Sequence, residues 1–199
     1  MSHRFLQPIN TSVTYKARIP ELLALEGWYK LTSPLWELYN KDSTHNKPKF
    51  SKWLMKNGIT DQKMVKKIVE SSNVRFKLSC RFNDIKRCSI TDHFDSCFRP
   101  SGIYDNMPET YLEKFPQIAI VYVPDGAGFM IGRFWIIYQN GKLIPGRVYG
   151  DIPAYAMMQE ICDVSGLRPG ALPDENFPTY IDYGENYWYN FTETFERSK

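Results

Sequence analysis

Residues 117–149 read QIAIVYVPDGAGFMIGRFWIIYQNGKLIPGRVY, and this stretch decides the fold. Residues 117–123 are an apolar run of strand length, and Pro124-Asp125-Gly126 supplies turn chemistry. Residues 129–138 make a longer strand, Asn140-Gly141 is the dipeptide of a tight two-residue hairpin, and residues 142–149 return. The pattern predicts an antiparallel meander.

Working back from the meander, residues 74–79 alternate Val74, Phe76 and Leu78 with Arg75, Lys77 and Ser79. That is a strand with one apolar and one cationic face. Before it the period is helical. Pro20 opens a helix that Gly27 interrupts or ends, Ser33-Pro34 caps a second, and a third follows Pro48 and stops at Gly58. A fourth takes Thr60 as N-cap and Asp61 in its first turn, with Met64, Val65, Ile68 and Val69 on one face. Residues 80–116 read as irregular with short pieces. After the meander, Asp151 is placed to cap a helix over residues 154–164 that Gly166 ends, residues 168–173 form a loop, and residues 179–183 and 187–191 alternate as late strands. The fold class expected is α+β: a helical N-terminal third, an antiparallel meander, one later helix and an aromatic C-terminal tail. One domain over residues 1–199 is expected, with a mainly helical subregion at 1–72 and a sheet-containing core at 73–199.

With 199 residues, 43% of them hydrophobic, the chain is long enough for one substantial core. No window holds the run of roughly 18 to 20 apolar residues that a membrane-spanning helix needs, and the first residues lack the apolar stretch of a secretory signal. A soluble, cytoplasmic protein with no membrane partner is the expectation, and there Cys80, Cys88, Cys97 and Cys162 stay reduced. The net charge of +3 conceals an uneven distribution. Residues 46–87 hold twelve Lys or Arg against three acids, whereas residues 151–199 hold nine acids against three bases. Such asymmetry is a statement about partners.

The segment Cys80 to Cys97 gathers three of the four cysteines and His93. Cys80, Cys88, His93 and Cys97 are ligand types that zinc takes, but no C-x2-C pair is present to clamp the ion, so free thiols and no cofactor are the plainer reading. Alternatively Cys97 is a nucleophile, with His93 as its base and Asp92 or Asp95 orienting it. Gly126, Gly128 and Gly132 resemble a phosphate loop only superficially, because a strand follows them instead of a helix. Arg133 and Arg147 are roughly symmetric about the Asn140-Gly141 turn, and on one face of a hairpin they would hold an anion between them. The tail aromatics are interleaved with acids, which points to core packing or a protein partner and away from base stacking.

Residues 89–97 (SITDHFDSC), with 128–133 (GFMIGR) and 146–150 (GRVYG), resemble uncharacterised proteins encoded by bacteriophages. The resemblance covers about a third of the chain and implies no activity. It implies a phage accessory or host-takeover factor acting in the host cytoplasm.

The charge pattern makes a non-enzymatic binding protein the leading expectation, engaging nucleic acid, or an acidic or nucleoprotein partner, through Lys52, Lys56, Lys63, Lys66, Lys67, Arg75, Lys77 and Arg81. Pairing of this basic segment with the acidic tail of a second copy would make a homo-oligomer. The alternative is an enzyme acting on an anionic or nucleotide-like substrate with His93, Cys97, Arg133 and Arg147.

Overall fold

A computed structural model describes residues 16–102, 105, 107–170, 180–182 and 188–190. At its centre lie β3 (Ile118–Pro124) and β4 (Met130–Gln139), antiparallel neighbours whose side chains are buried on both faces along most of their length. The Asn140-Gly141 turn has positive φ at both residues (51° and 74°), the geometry of a two-residue hairpin, and returns the chain as β5 (Lys142–Pro145). On the other side β3 pairs with β2 (Asn73–Ser79), which pairs with β1 (Gly27–Thr32); both pairings are antiparallel. A two-residue strand, β6 (Arg168–Pro169), adds to β5 in parallel and completes the order β1-β2-β3-β4-β5-β6. The molecule is an α+β protein built on a mostly antiparallel sheet. Two further strands, β7 (Tyr180–Asp182) and β8 (Trp188–Asn190), form a separate antiparallel pair where the tail alternates.

Period-two alternation splits the core into two layers. Ala119, Val121, Phe134, Ile136, Phe76 and Leu78 face one way, onto α1 (Pro20–Leu25) and onto Met157, Met158 and Ile161 of α7 (Ala154–Ser165). Ile118, Ile120, Tyr122, Trp135 and Ile137 face the other way, onto Ile85 of α5 (Phe82–Lys86), Leu112 of α6 (Met107–Lys114), and Cys88 and Phe98 of the segment between those helices. The buried Arg18 guanidinium donates to the carbonyls of Leu112 and Phe115, satisfying acceptors at the end of α6.

Several expectations need correction. β1 was not anticipated: the sheet takes its edge strand from within the helical N-terminal third, because Tyr29 and Leu31 pack inward, with Tyr29 stacked on Phe76 at 5.4 Å, while Trp28 and Lys30 point out. The N-cap of α4 (Gln62–Ser71) is Asp61, not Thr60; its carboxylate accepts from the N–H groups of Lys63 and Met64. Asp151 caps nothing, and α7 begins after Pro153 without a side-chain cap. Within the stretch expected as a loop, Arg168 and Pro169 form β6, and the irregular region contains α5 and α6.

The helices α2 (Pro34–Lys41), α3 (Phe50–Lys56) and α4 are an insertion between β1 and β2. They share a small core of Phe50, Leu54 and Val65, ringed by Trp36, Tyr39 and Trp53. Ser33 N–H donates to the Ser72 carbonyl at 3.1 Å and Ser33 Oγ to Ser72 Oγ at 2.7 Å, so the insertion is pinched shut at its neck. Ser33 also caps α2 by accepting from Trp36 N–H, as its position before Pro34 predicts.

β5 ends at Pro145, Gly146 N–H still donates to the Trp135 carbonyl at 2.7 Å, and the chain meets β4 again at Tyr149, whose N–H and C=O both pair with Arg133 at 2.8 Å. Gly150 makes this approach possible. Its φ is +79°, and a Cβ there would lie 2.3 Å from the Ile131 carbonyl oxygen. Gly150→Ala is expected to destabilise the protein by more than about 1 kcal/mol, read as a lower urea midpoint at unchanged slope; an unchanged midpoint would show that the bridge tolerates a side chain.

Candidate functional site

The sheet face that carries Tyr122 and Trp135 is roofed by α5, α6 and residues 88–98 over β3, β4 and Ile144 of β5. Towards the β1 edge it is open. There the register sets Lys30 opposite Arg75 and Trp28 opposite Lys77, with Lys77 opposite Tyr122 on the next strand. Trp28 is 49% exposed although a large apolar side chain gains by burial. The Arg75 guanidinium lies 4.5 Å from the Trp28 ring centroid, and Lys77 Nζ lies 6.0 Å from Trp28 and 5.9 Å from Tyr122. Cations and aromatic rings therefore alternate across three strands. Beyond Tyr122 the row continues into a narrow cleft lined by Asp84, Arg87, Ile90 and Phe129, where Phe129 is 40% exposed.

Two acids temper this charge. Asp84 accepts from Lys77 Nζ at 2.8 Å and from Ser79 Oγ at 2.6 Å, and Glu26 accepts from Arg81 Nε at 2.6 Å. Lys30, Arg75 and Arg87 are exposed and have no ion pair among the described residues. Beyond the Thr32–Asn73 end of the hairpin, the helical insertion exposes Lys52, Lys56, Lys63, Lys66 and Lys67, with Lys66 paired to Glu70. Sequence reasoning had found Arg75 and Lys77 but missed Trp28 and Lys30. The signal was present in the alternation of Trp28, Lys30 and Thr32 with Tyr29 and Leu31, which a tryptophan next to a glycine at a helix end obscures.

Of the other predicted residues, Cys88, Cys97 and Arg147 lie near Arg133, which sits on the same face of the sheet under its roof. Arg133 is fully buried. Its Nε donates to the Cys88 carbonyl at 2.7 Å, and Nη2 donates to Ser89 Oγ and Ser96 Oγ at 3.0 and 3.1 Å. Rings of Phe94, Phe98, Trp135 and Tyr149 surround it, the closest being Tyr149 at 4.3 Å. A cation stripped of water is costly, and each such ring returns about 0.5–2 kcal/mol. Arg147 is exposed, 5.1 Å from the same Tyr149 ring. The expected reason for their convergence is corrected: Arg133 is paired with Tyr149, not with Arg147, and the two arginines meet at one ring because the chain leaves β5 and comes back.

His93 is held elsewhere, with Nε2 3.0 Å from Asp125 Oδ2; Asp125 also accepts the N–H groups of Ala127 and Phe129. The pair fastens the β3–β4 turn, so the glycines there serve a hairpin, and the His93 bond draws the Asp125 carboxyl below its usual range. Cys97 has Arg133, Arg147 and Tyr149 as electrostatic neighbours, and burial pushes its thiol up. Asp92 is exposed. The zinc set is divided by the sheet, because Cys80 packs in the α7 layer, where burial raises its thiol to about 12, and Cys88 packs in the opposite layer. Among the described residues no three His, Cys, Asp or Glu side chains converge as metal ligands, and all four cysteines are free thiols. No described helix is long and apolar enough to cross a membrane.

No protein-family model, curated protein or solved structure matches the chain.

Asp84 ties the open face to α5. Burial alone would raise its carboxyl, but the hydrogen bonds from Lys77 and Ser79 and the charge of Lys77 outweigh it and hold the group below its usual value. A carboxyl depressed in the folded state stabilises at pH values above its unfolded pKa of about 4 and loses that contribution as pH falls through the folded value. Asp84→Asn is expected to cost on the order of 1 kcal/mol at pH 7, the pair being only partly buried, with the gap to the parent protein shrinking towards pH 3. Urea unfolding at the two pH values checks this, and a gap independent of pH would remove the ionised carboxylate from the account.

Proposed function

We propose that the protein binds single-stranded nucleic acid, without catalysis, across the open face of β1 and β2. The observation that carries this reading is the exposed Trp28 ring with the Arg75 guanidinium over it, on a sheet edge that also exposes Lys30, with Lys77 next in register and Tyr122 buried beyond it. A flat aromatic ring stacks on any base, and flanking cations follow the phosphates. The lysines of α3 and α4, carried on the same hairpin, would extend the electrostatic footprint without reading sequence. An accessory or host-takeover factor of a phage, which the resemblance implies, would use such a face against nucleic acid or a nucleoprotein machine.

Fluorescence anisotropy with a twelve-residue oligothymidine at 50 and 200 mM salt tests the proposal. Binding is expected to weaken as salt rises, since each neutralised phosphate releases counterions. Trp28→Ala should lose about tenfold in affinity, the worth of one base stack, with little change in salt slope. Arg75→Ala should lower both affinity and slope. Absence of binding at 50 mM salt overturns the proposal, and undiminished binding by Trp28→Ala overturns the sheet face as its site.

A further inference from the structure

Arg133 is a buried cation with no carboxylate beside it. None of the ion pairs among the described residues includes it, its three hydrogen bonds go to neutral oxygens, and its Nη1 is a buried donor without a partner among those residues. Native proteins rarely leave such a donor orphaned. Arg147 adds a second guanidinium at the same ring, also without an ion pair among the described residues.

Next to this pair of charges is a cavity of about 430 Å³, within the size range of small-molecule sites. Arg147, Tyr149, Ser96, Cys97 and Ser101 line it. Ser96 and Tyr149 are the direct neighbours of the Arg133 guanidinium, so the buried charge lies immediately behind the cavity wall. Asp95 and Arg99 also line it and are paired with each other at 2.7 Å, so those two charges offset each other. Arg147 is the cation of the lining without an ion pair among the described residues, and Arg133, fully buried and outside the lining, adds a second positive charge from behind; a phosphomonoester, which carries about −1.5 to −2 at neutral pH, matches that pair. Gly102 keeps the rim tight, because a Cβ there would meet the Cys97 carbonyl oxygen at 2.4 Å.

We propose that this cavity binds a small organic phosphomonoester, with Arg147 and the Ser101 hydroxyl contacting the phosphoryl group at the mouth and Arg133 supplying the field from behind Tyr149. The site is separate from the open face of β1 and β2, and it involves no covalent step. Cys97 stands in its wall as a reporter, since Cys80, Cys88 and Cys162 are buried and Cys97 is half-buried.

The probe is phenyl phosphate, with benzoate as a monoanion of similar shape. Calorimetry is expected to show binding of phenyl phosphate, and saturating phenyl phosphate is expected to slow iodoacetamide alkylation of Cys97, followed by peptide mass spectrometry, at least fivefold. Arg147→Ala, a change at an exposed side chain, should weaken binding at least tenfold and abolish the protection while leaving the melting temperature unchanged. Trp28→Ala should leave both readouts intact, which separates this site from the nucleic-acid face. Three results overturn the proposal: no heat and no protection at 10 mM phenyl phosphate, equal binding by Arg147→Ala, or benzoate binding as well as phenyl phosphate.

Discussion

The guanidinium of Arg133 needs hydrogen-bond acceptors inside an apolar layer, and the segment after α5 exists in its observed path because it provides them. The Cys88 carbonyl, Ser89 and Ser96 are three acceptors contributed by that segment to a strand more than 35 residues further along the chain. By reaching Arg133 the segment also lays Phe94 and Phe98 against the guanidinium and covers β3 and β4. On the other side of the same residue, the backbone pair with Tyr149 pulls the chain after β5 back to the sheet before α7 begins. One residue therefore ties the roof, the central strand and the approach to the last long helix.

That roof is short. α5, α6 and residues 88–98 cover the central strands and stop before β1, because β1 and β2 present Lys30, Arg75, Trp28 and Lys77 on that face, where apolar partners would be needed to seat a covering layer. The opposite face has Tyr29, Leu31, Phe76 and Leu78 along the same two strands and is packed against α7 and α1. The same two-residue period thus closes one side of the hairpin and opens the other. The helical insertion leaves from the far end of the hairpin through the Ser33–Ser72 neck, which places lysine-bearing helices next in line after the open face.

The central meander was legible because a continuous apolar run, a Pro-Asp-Gly turn and an Asn-Gly hairpin agree with one another at every level. The helices α2, α3 and α7 were legible from a cap or a stop: Ser33 before Pro34, Gly58, and Gly166 in the left-handed conformation at 72°. β1 was not, since it is only six residues long and its inward residues Tyr29 and Leu31 have nothing to pack on until Phe76 and α7 arrive from distant parts of the chain. For the same reason Trp28 was invisible as a surface residue. The cluster of cysteines and His93 looked like chemistry because it is dense in sequence; the sheet then separates Cys80 from Cys88, and the β3–β4 turn engages His93.

By itself the sequence determined the α+β class, the meander, some helix limits and the uneven charge, because each depends on local period, turn residues or composition. Tertiary structure alone decided which cations stand beside an exposed tryptophan, that Arg133 is buried while Arg147 is exposed, and that both meet at Tyr149. Those outcomes rest on strand register and on a long-range bridge allowed by Gly150. A shift of one residue in either pairing would turn every one of those side chains to the opposite face, and no local pattern encodes a partner so far along the chain.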